Sequence, residues 1–428
     1  MSLLSPFARW LPRCAALIVL SAALLTAAAA PARAEWVAAW AAAAQDHAQS
    51  AAAPLPGIAP PAAPSLGGRT VRQRVHPGLA GERVRVRFSN AFGKLPLHIA
   101  AASIARSTGG DAVAPGSLRR LRFNQGRPDI TIAPGGEAWS DAVAIRVGAG
   151  QALAVSFYLD RDTPAATVHQ RPLQASWIAQ GDAVAAPKLR TPQPADWNHV
   201  VTGLDVEARA AARVVVAFGD SITEGVGASS DLAPRPYPER LGERLRRPAG
   251  AAVAVSVLNT GIGGNRLLAP RVGTRALDRF DRDVLGQSGV THVVVLIGVN
   301  DIGFGTLPGG MSALPAQLSV TAEQITAGLQ QLIARARTRG IKVLLGTLLP
   351  FKGSGYWSED NEARRQAVNR WIRSRQDVDA VVDFDAAMRS ADDALALNPV
   401  YDSGDHLHPN DAGNAAMAGA IDVKELLE

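Results

Sequence analysis

The chain has 428 residues, 47% of them hydrophobic and 19% charged, with one cysteine and a formal net charge of +6. That composition belongs to a globular chain of two or three domains and excludes an intrinsically disordered one. Mild basicity on a chain of this size gives no argument for nucleic acid as a partner.

The first elements are not those of a fold. Arg9 and Arg13 form a short basic region, Cys14 to Ala30 is an apolar Ala/Leu-rich run, and Ala32-Arg33-Ala34 offers a small-x-small cleavage site before Glu35. Residues 1–34 therefore read as a secretory signal peptide. The competing reading is an uncleaved membrane anchor, for which the run is short and its flank is wrong. Cleavage removes Cys14, and with it disulfides, zinc–cysteine sites, cysteine nucleophiles and a lipid-modified cysteine at the mature start. It also removes three arginines and no acid, so the formal charge falls from +6 to +3. The expectation is a secreted or periplasmic protein with no stable membrane anchor after cleavage and no nucleic-acid partner.

Residues 35–205 read as a β-rich domain. Arg83 to Phe88 alternates strictly, with Val84, Val86 and Phe88 on one face. Leu153, Val155, Phe157 and Leu159 alternate likewise, and Thr70 to Val75 adds a third run. Gly and Pro clusters at short intervals separate such runs, which predicts an all-β sandwich or jelly roll. The Ala/Pro-rich stretch Ala43 to Gly68 reads as a surface loop or linker. Arg83, Arg85 and Arg87 face outward, to solvate the sheet or to meet an anionic polymer, with solvation the preferred reading. Trp36, Trp40, Trp139 and Trp177 are assigned to the core.

Residues 206–428 change period. Apolar runs at 213–218, 253–258, 292–297, 341–347 and 379–384 alternate with helical patterns over Tyr237–Arg247, Gly273–Gln287, Thr321–Arg339, Asn361–Arg375 and Pro409–Leu427. Strands alternating with helices predict an α/β domain with a parallel sheet.

Four short segments of that half carry chemistry. Val214 to Phe218 is an apolar strand that breaks at Gly219 and presents Ser221, and open α/β sheets place ligand sites at such strand ends. A serine there also suits a helix N-cap. The nucleophile elbow of α/β-hydrolases fails because Thr223 stands where its last glycine belongs, and no serine is followed three residues later by lysine. Asp405 and His408 supply what a serine hydroxyl lacks: an imidazole base and a carboxylate that fixes its tautomer. Pro409 suits the first turn of the last helix, which would place His408 at its N-cap. A metal pair of His406 and His408 is the rival, but no third ligand cluster is evident. His406 is assigned to the rim. The backbone N–H groups of Ser221 and Gly264 and the side-chain amide of Asn300 are candidate oxyanion donors. Gly261-Ile262-Gly263-Gly264 also suits a plain strand-to-helix turn, and Asn300 a turn residue. A dinucleotide fingerprint fails at Arg266.

Taken together, Gly219-Asp220-Ser221-Ile222, Gly264, Gly298-Val299-Asn300-Asp301 and Asp405-His406-Leu407-His408-Pro409 resemble the SGNH hydrolases, also called GDSL esterases or lipases. The resemblance covers roughly residues 210–428. Asn259 to Leu268, Arg279 to Leu285 and Gly298 to Gly303 are similar to a bacterial arylesterase/acylhydrolase subgroup with a xylan-associated member. The resemblance implies a flavodoxin-like α/β/α sandwich, no cofactor, and carboxylic ester hydrolysis through Ser221, Asp405 and His408.

Around the site, Asn265, Phe351, Tyr356 and Trp357 are candidate substrate-binding residues. The three aromatics follow the fourth strand, where they either meet a sugar, acyl or aryl group or cap the core. The Gly/Pro-rich loop from Gly303 to Leu318 would border the cleft. The expected substrate is a small ester or an acylated polysaccharide. Acyl transfer to a sugar, or a non-catalytic polysaccharide-binding envelope protein, are the alternatives.

Overall fold

The computed structural model describes residues 35–50, 63–170, 174–208, 212–229, 236–246, 253–304 and 320–427. The expected signal peptide and most of the Gly303–Leu318 loop lie outside them. Among the described residues no helix is long and apolar enough to cross a membrane.

The amino-terminal strands form two main antiparallel sheets. One runs in the spatial order Glu35–Ala41, Val201–Ala208, Gly81–Ser89, Glu137–Trp139, with Val143–Val147 also paired to Gly81–Ser89. The other is built on Arg69–Val75, Leu153–Leu159 and Ala101–Gly109. Alternation decides which side chains go inside. Val84, Val86 and Phe88 from the first sheet and Leu153, Val155 and Phe157 from the second are fully buried. Phe88 meets Phe157 edge-on at 6.1 Å, joining the two sheets through one core.

On the outward face of the Arg83–Arg87 strand Arg83 stays exposed as expected, but Arg85 is half-buried and Arg87 buried. Arg85 lies between the rings of Trp36 (4.9 Å) and Trp139 (4.4 Å) and ion-pairs with buried Asp205 at 2.7 Å. Its Nη2 also reaches Ser288 Oγ, and Arg87 reaches Gln287 Oε1 at 3.4 Å. This face docks the α/β part. The arginines need carboxylate and aromatic partners because the docking strips their water. Of the four tryptophans assigned to the core, Trp40 alone is buried; Trp36, Trp139 and Trp177 are half-buried and stack on arginines. The start of the expected 43–68 linker is also structured: Ala43 and Ala44 are buried, and Gln45–Asp46 pairs with Thr167–Val168.

The carboxy-terminal strands form a five-stranded parallel sheet in the order Ala254–Asn259, Ala212–Gly219, Val290–Leu296, Lys342–Gly346, Ala380–Val382. Counting from the first strand, this is the 2-1-3-4-5 order, whose switch point lies beside the first strand. That strand, Ala212–Gly219, is central, and Val214 to Phe218 are fully buried. Residues Ala34–Glu428 make one compact unit.

Five helices start at a side-chain N-cap. Thr321 closes a capping box on Ala322–Thr338 with Gln324, and Ser358 caps Glu359–Arg373. Two expected helices are broken. Gly273–Gln287 becomes a turn of α-helix at Ala276–Phe280 followed by a π turn at Asp281–Leu285. The last helix is Asp411–Ala420, interrupted where Ile421 turns extended into the core, and then Lys424–Leu427. Its N-cap is Asn410, whose side chain accepts the Gly413 N–H, so His408 stands two residues ahead of the cap rather than on it.

Candidate active site

Ser221 opens a short helix, Ser221–Glu224, at the end of the central strand. The turn is tight. A Cβ on Gly219 would lie 2.2 Å from Thr223 Oγ1 and 2.4 Å from Leu296 O, so only glycine fits. Asp220 caps the helix by accepting the Ile222 N–H at 3.1 Å. Its other oxygen is buried without a hydrogen-bond partner among the described residues. Burial pushes the Asp220 carboxyl up to about 7, against the pull of the Ile222 N–H and of His408.

The candidate base reaches the candidate nucleophile directly. His408 Nε2 lies 2.8 Å from Ser221 Oγ, and His408 Nδ1 lies 2.5 Å from Asp405 Oδ2. Asp405 Oδ1 accepts the N–H groups of Leu407 and His408 at 3.0 and 2.8 Å. Partial burial would raise the Asp405 carboxyl. The hydrogen bonds from the His408 ring and from these backbone groups outweigh it and hold the group well below the usual carboxylate range. An ionised Asp405 fixes the Nδ1–H tautomer of His408, which leaves a lone pair on Nε2 for the serine proton.

The other two blocks are tied to the serine turn and to each other. Ile262 N–H donates to Gly219 O at 3.2 Å. Asn300 Nδ2 donates to Asn265 O at 3.0 Å, next to Gly264. Asp301 accepts the N–H groups of Leu267 and Leu268 at 2.7 and 3.0 Å. Burial raises Asp301 to about 6, with those two N–H groups opposing. Gly264 adopts φ +71°, a conformation glycine takes at no cost. The Ser221 N–H, at the first helical position, has no acceptor within its own helix. One Asn300 amide hydrogen is spent on Asn265 O, and a second remains to donate.

The surrounding candidates separate. Asn265 is fully buried. Its Nδ2 donates to Val272 O and Thr274 O and its Oδ1 accepts from Arg279, so its side chain is engaged in folding its own loop. Phe351 is fully buried against Trp357 and Arg365, the core-capping alternative. Trp357 is half-buried, with Lys352 Nζ 5.8 Å from its ring centroid. Tyr356 has a different place from the one expected. Its hydroxyl donates to Asn300 Oδ1 at 2.7 Å, and its ring meets Phe304 edge-on. Burial drives the Tyr356 phenol above its ordinary range, so it remains a donor.

Two further residues hold the site without motif signals of their own. Arg279, buried under Phe218, donates to Gly219 O, Thr260 O, Asn265 Oδ1 and Asp283, and so binds the ends of two strands together. His169, from the amino-terminal part, places Nε2 3.4 Å from Glu224 Oε1 on the serine helix. Its Nδ1 lies 2.9 Å from Ala43 O, and burial pushes the imidazole down to about 4. The sequence showed Arg279 inside a run similar to the acylhydrolase subgroup; for His169 it offered no signal. Among the described residues no group of three His, Cys, Asp or Glu could hold a metal ion.

A serine, an imidazole and a carboxylate thus lie in line, beside a glycine turn and an asparagine amide. Residues 217–416 match the GDSL-like lipase/acylhydrolase family, which supports a hydrolase acting on esters. The chain is similar to a GDSL-like lipase from Bacteroides thetaiotaomicron, at 21% identity over 50% of this chain and 87% of that one, with a TM-score of 0.35. It is also similar to a catalytic mutant of an acetylxylan esterase from Geobacillus stearothermophilus, at 22% identity over 51% of this chain and 95% of that one, with a TM-score of 0.39. No curated relative matches the chain.

Proposed function

We propose that the protein is a secreted or periplasmic serine esterase that cleaves short-acyl carboxylic esters through an acyl-enzyme. The observation that carries this reading is the unbroken line Ser221 Oγ, His408 Nε2, His408 Nδ1, Asp405 Oδ2. Ser221 attacks the ester carbonyl while His408 takes its proton. The N–H groups of Ser221 and Gly264 and the Asn300 amide receive the oxyanion. His408 returns the proton to the departing alcohol. It then activates the water that releases the acid. In this reading residues 1–34 are the leader, 35–205 a β-sandwich domain and 206–428 a flavodoxin-like α/β/α hydrolase domain. Ser221→Ala should abolish p-nitrophenyl acetate hydrolysis and labelling by a fluorophosphonate. Turnover at the parent rate in that variant would refute the assignment.

A further inference from the structure

The loop that carries the triad acid and base holds a second, separate Asp–His pair. Asp402 Oδ2 lies 2.6 Å from His406 Nδ1, and Asp402 Oδ1 accepts the N–H groups of Gly404 and His406 at 2.8 and 3.0 Å. His406 itself sits at φ +60°, a left-handed conformation that a residue with a Cβ rarely adopts. Its side chain is 53% exposed. The loop is otherwise closed on itself. Ser403 N–H donates to His408 O, and Asn410 Nδ2 donates to Val400 O and Asp402 O. The loop thus holds an exposed imidazole in one place, two positions from the candidate base.

The ring lies against the loop that carries Tyr356. A Cβ on Gly353 would come within 3.1 Å of His406 Cγ. Gly353 leads into Tyr356, whose hydroxyl holds Asn300. His406 thus stands where the triad loop meets the loop that supports the oxyanion amide. Asp402 takes the Nδ1–H, so Nε2 of the neutral ring is a lone-pair acceptor, and it has no hydrogen-bond partner among the described residues. An imidazole oriented by a carboxylate, with its outer nitrogen open, suits a hydroxyl donor. It has nothing to offer a hydrocarbon chain.

We infer that His406 is a specificity residue that accepts a hydrogen bond from a hydroxyl of the substrate's alcohol portion, so that the site prefers esters of polyhydroxylated alcohols such as sugars. This rests on the esterase reading above and adds the chemistry of the leaving alcohol. The test measures kcat and KM on an acetylated xylo-oligosaccharide and on p-nitrophenyl acetate. The parent is compared with His406→Gly, which relieves the strain, and His406→Asn, which tolerates the left-handed backbone and keeps an acceptor. The expected result is a fall of about tenfold in the sugar-ester to aryl-ester ratio of kcat/KM for His406→Gly, carried by KM, with partial recovery in His406→Asn. An unchanged ratio overturns the inference. So does a parent enzyme that hydrolyses the aryl ester and leaves the sugar ester untouched; the esterase reading survives that outcome and falls only with the Ser221→Ala test.

Discussion

Tyr356→Phe removes one oxygen and tests how Asn300 is aimed. The hydroxyl donates to Asn300 Oδ1 at 2.7 Å, and both residues are buried. Losing it leaves a buried carbonyl oxygen unpaired, at a cost of about 1–3 kcal/mol in folding stability. The effect on rate is smaller and separable. Asn300 is held at both ends, by Tyr356 on Oδ1 and by Asn265 O on Nδ2. With one tether gone the other still disfavours an amide flip, which would set two oxygens face to face. About 1–1.5 kcal/mol of aim should be lost, or roughly 5–15-fold in kcat. KM should hardly move, because the oxyanion exists only in the transition state. Initial rates on p-nitrophenyl acetate give kcat and KM separately, and thermal melts give stability. The double variant with Asn300→Ala should be no slower than Asn300→Ala alone, since the tether then has nothing to hold. A kcat within twofold of the parent, or losses that multiply in the double variant, would show that the hydroxyl serves packing and not the oxyanion.

Asn300→Ala should lower kcat on the same ester by about 10²–10³-fold; a change below threefold removes Asn300 from the oxyanion role. Gly219→Ala forces a methyl into Thr223 and the Leu296 carbonyl. It should lower stability by about 1–3 kcal/mol or more, read as a fall in Tm, with an unchanged Tm as the contrary result. Asp220→Asn should change how stability depends on pH. Burial raises this carboxyl from 3.8 to about 7, so its contribution is complete below about pH 4 and is lost as pH rises through 7. The neutral variant escapes that loss. Its stability relative to the parent should climb by about 1.4 kcal/mol per pH unit between those limits and then level off. Parallel stability–pH profiles for the two proteins would refute it.

Parts of the site were legible because their chemistry is local. Gly219-Asp220-Ser221 sets a turn and a nucleophile within three residues. Asp405 to His408 brings acid and base within one loop, where Asp405 also accepts the intervening N–H groups. The alternating strands around Val86 and Phe157 and the five apolar runs after residue 212 were equally readable, since side-chain period reports which face is buried. The outward arginines misled for a reason of the same kind. Period tells that Arg85 faces away from its own core, but not that a second body covers that face.

What the sequence determined by itself is therefore the candidate reacting groups and the strand and helix pattern of each half of the chain. What only the tertiary structure decided is partnership between distant residues. Tyr356 is 56 residues from the amide it steadies, and Asn265 reads as a cleft residue until its three bonds are seen to be internal. Burial and hydrogen-bond satisfaction arise where separate loops meet, and no local pattern encodes which polar atom will find its partner there.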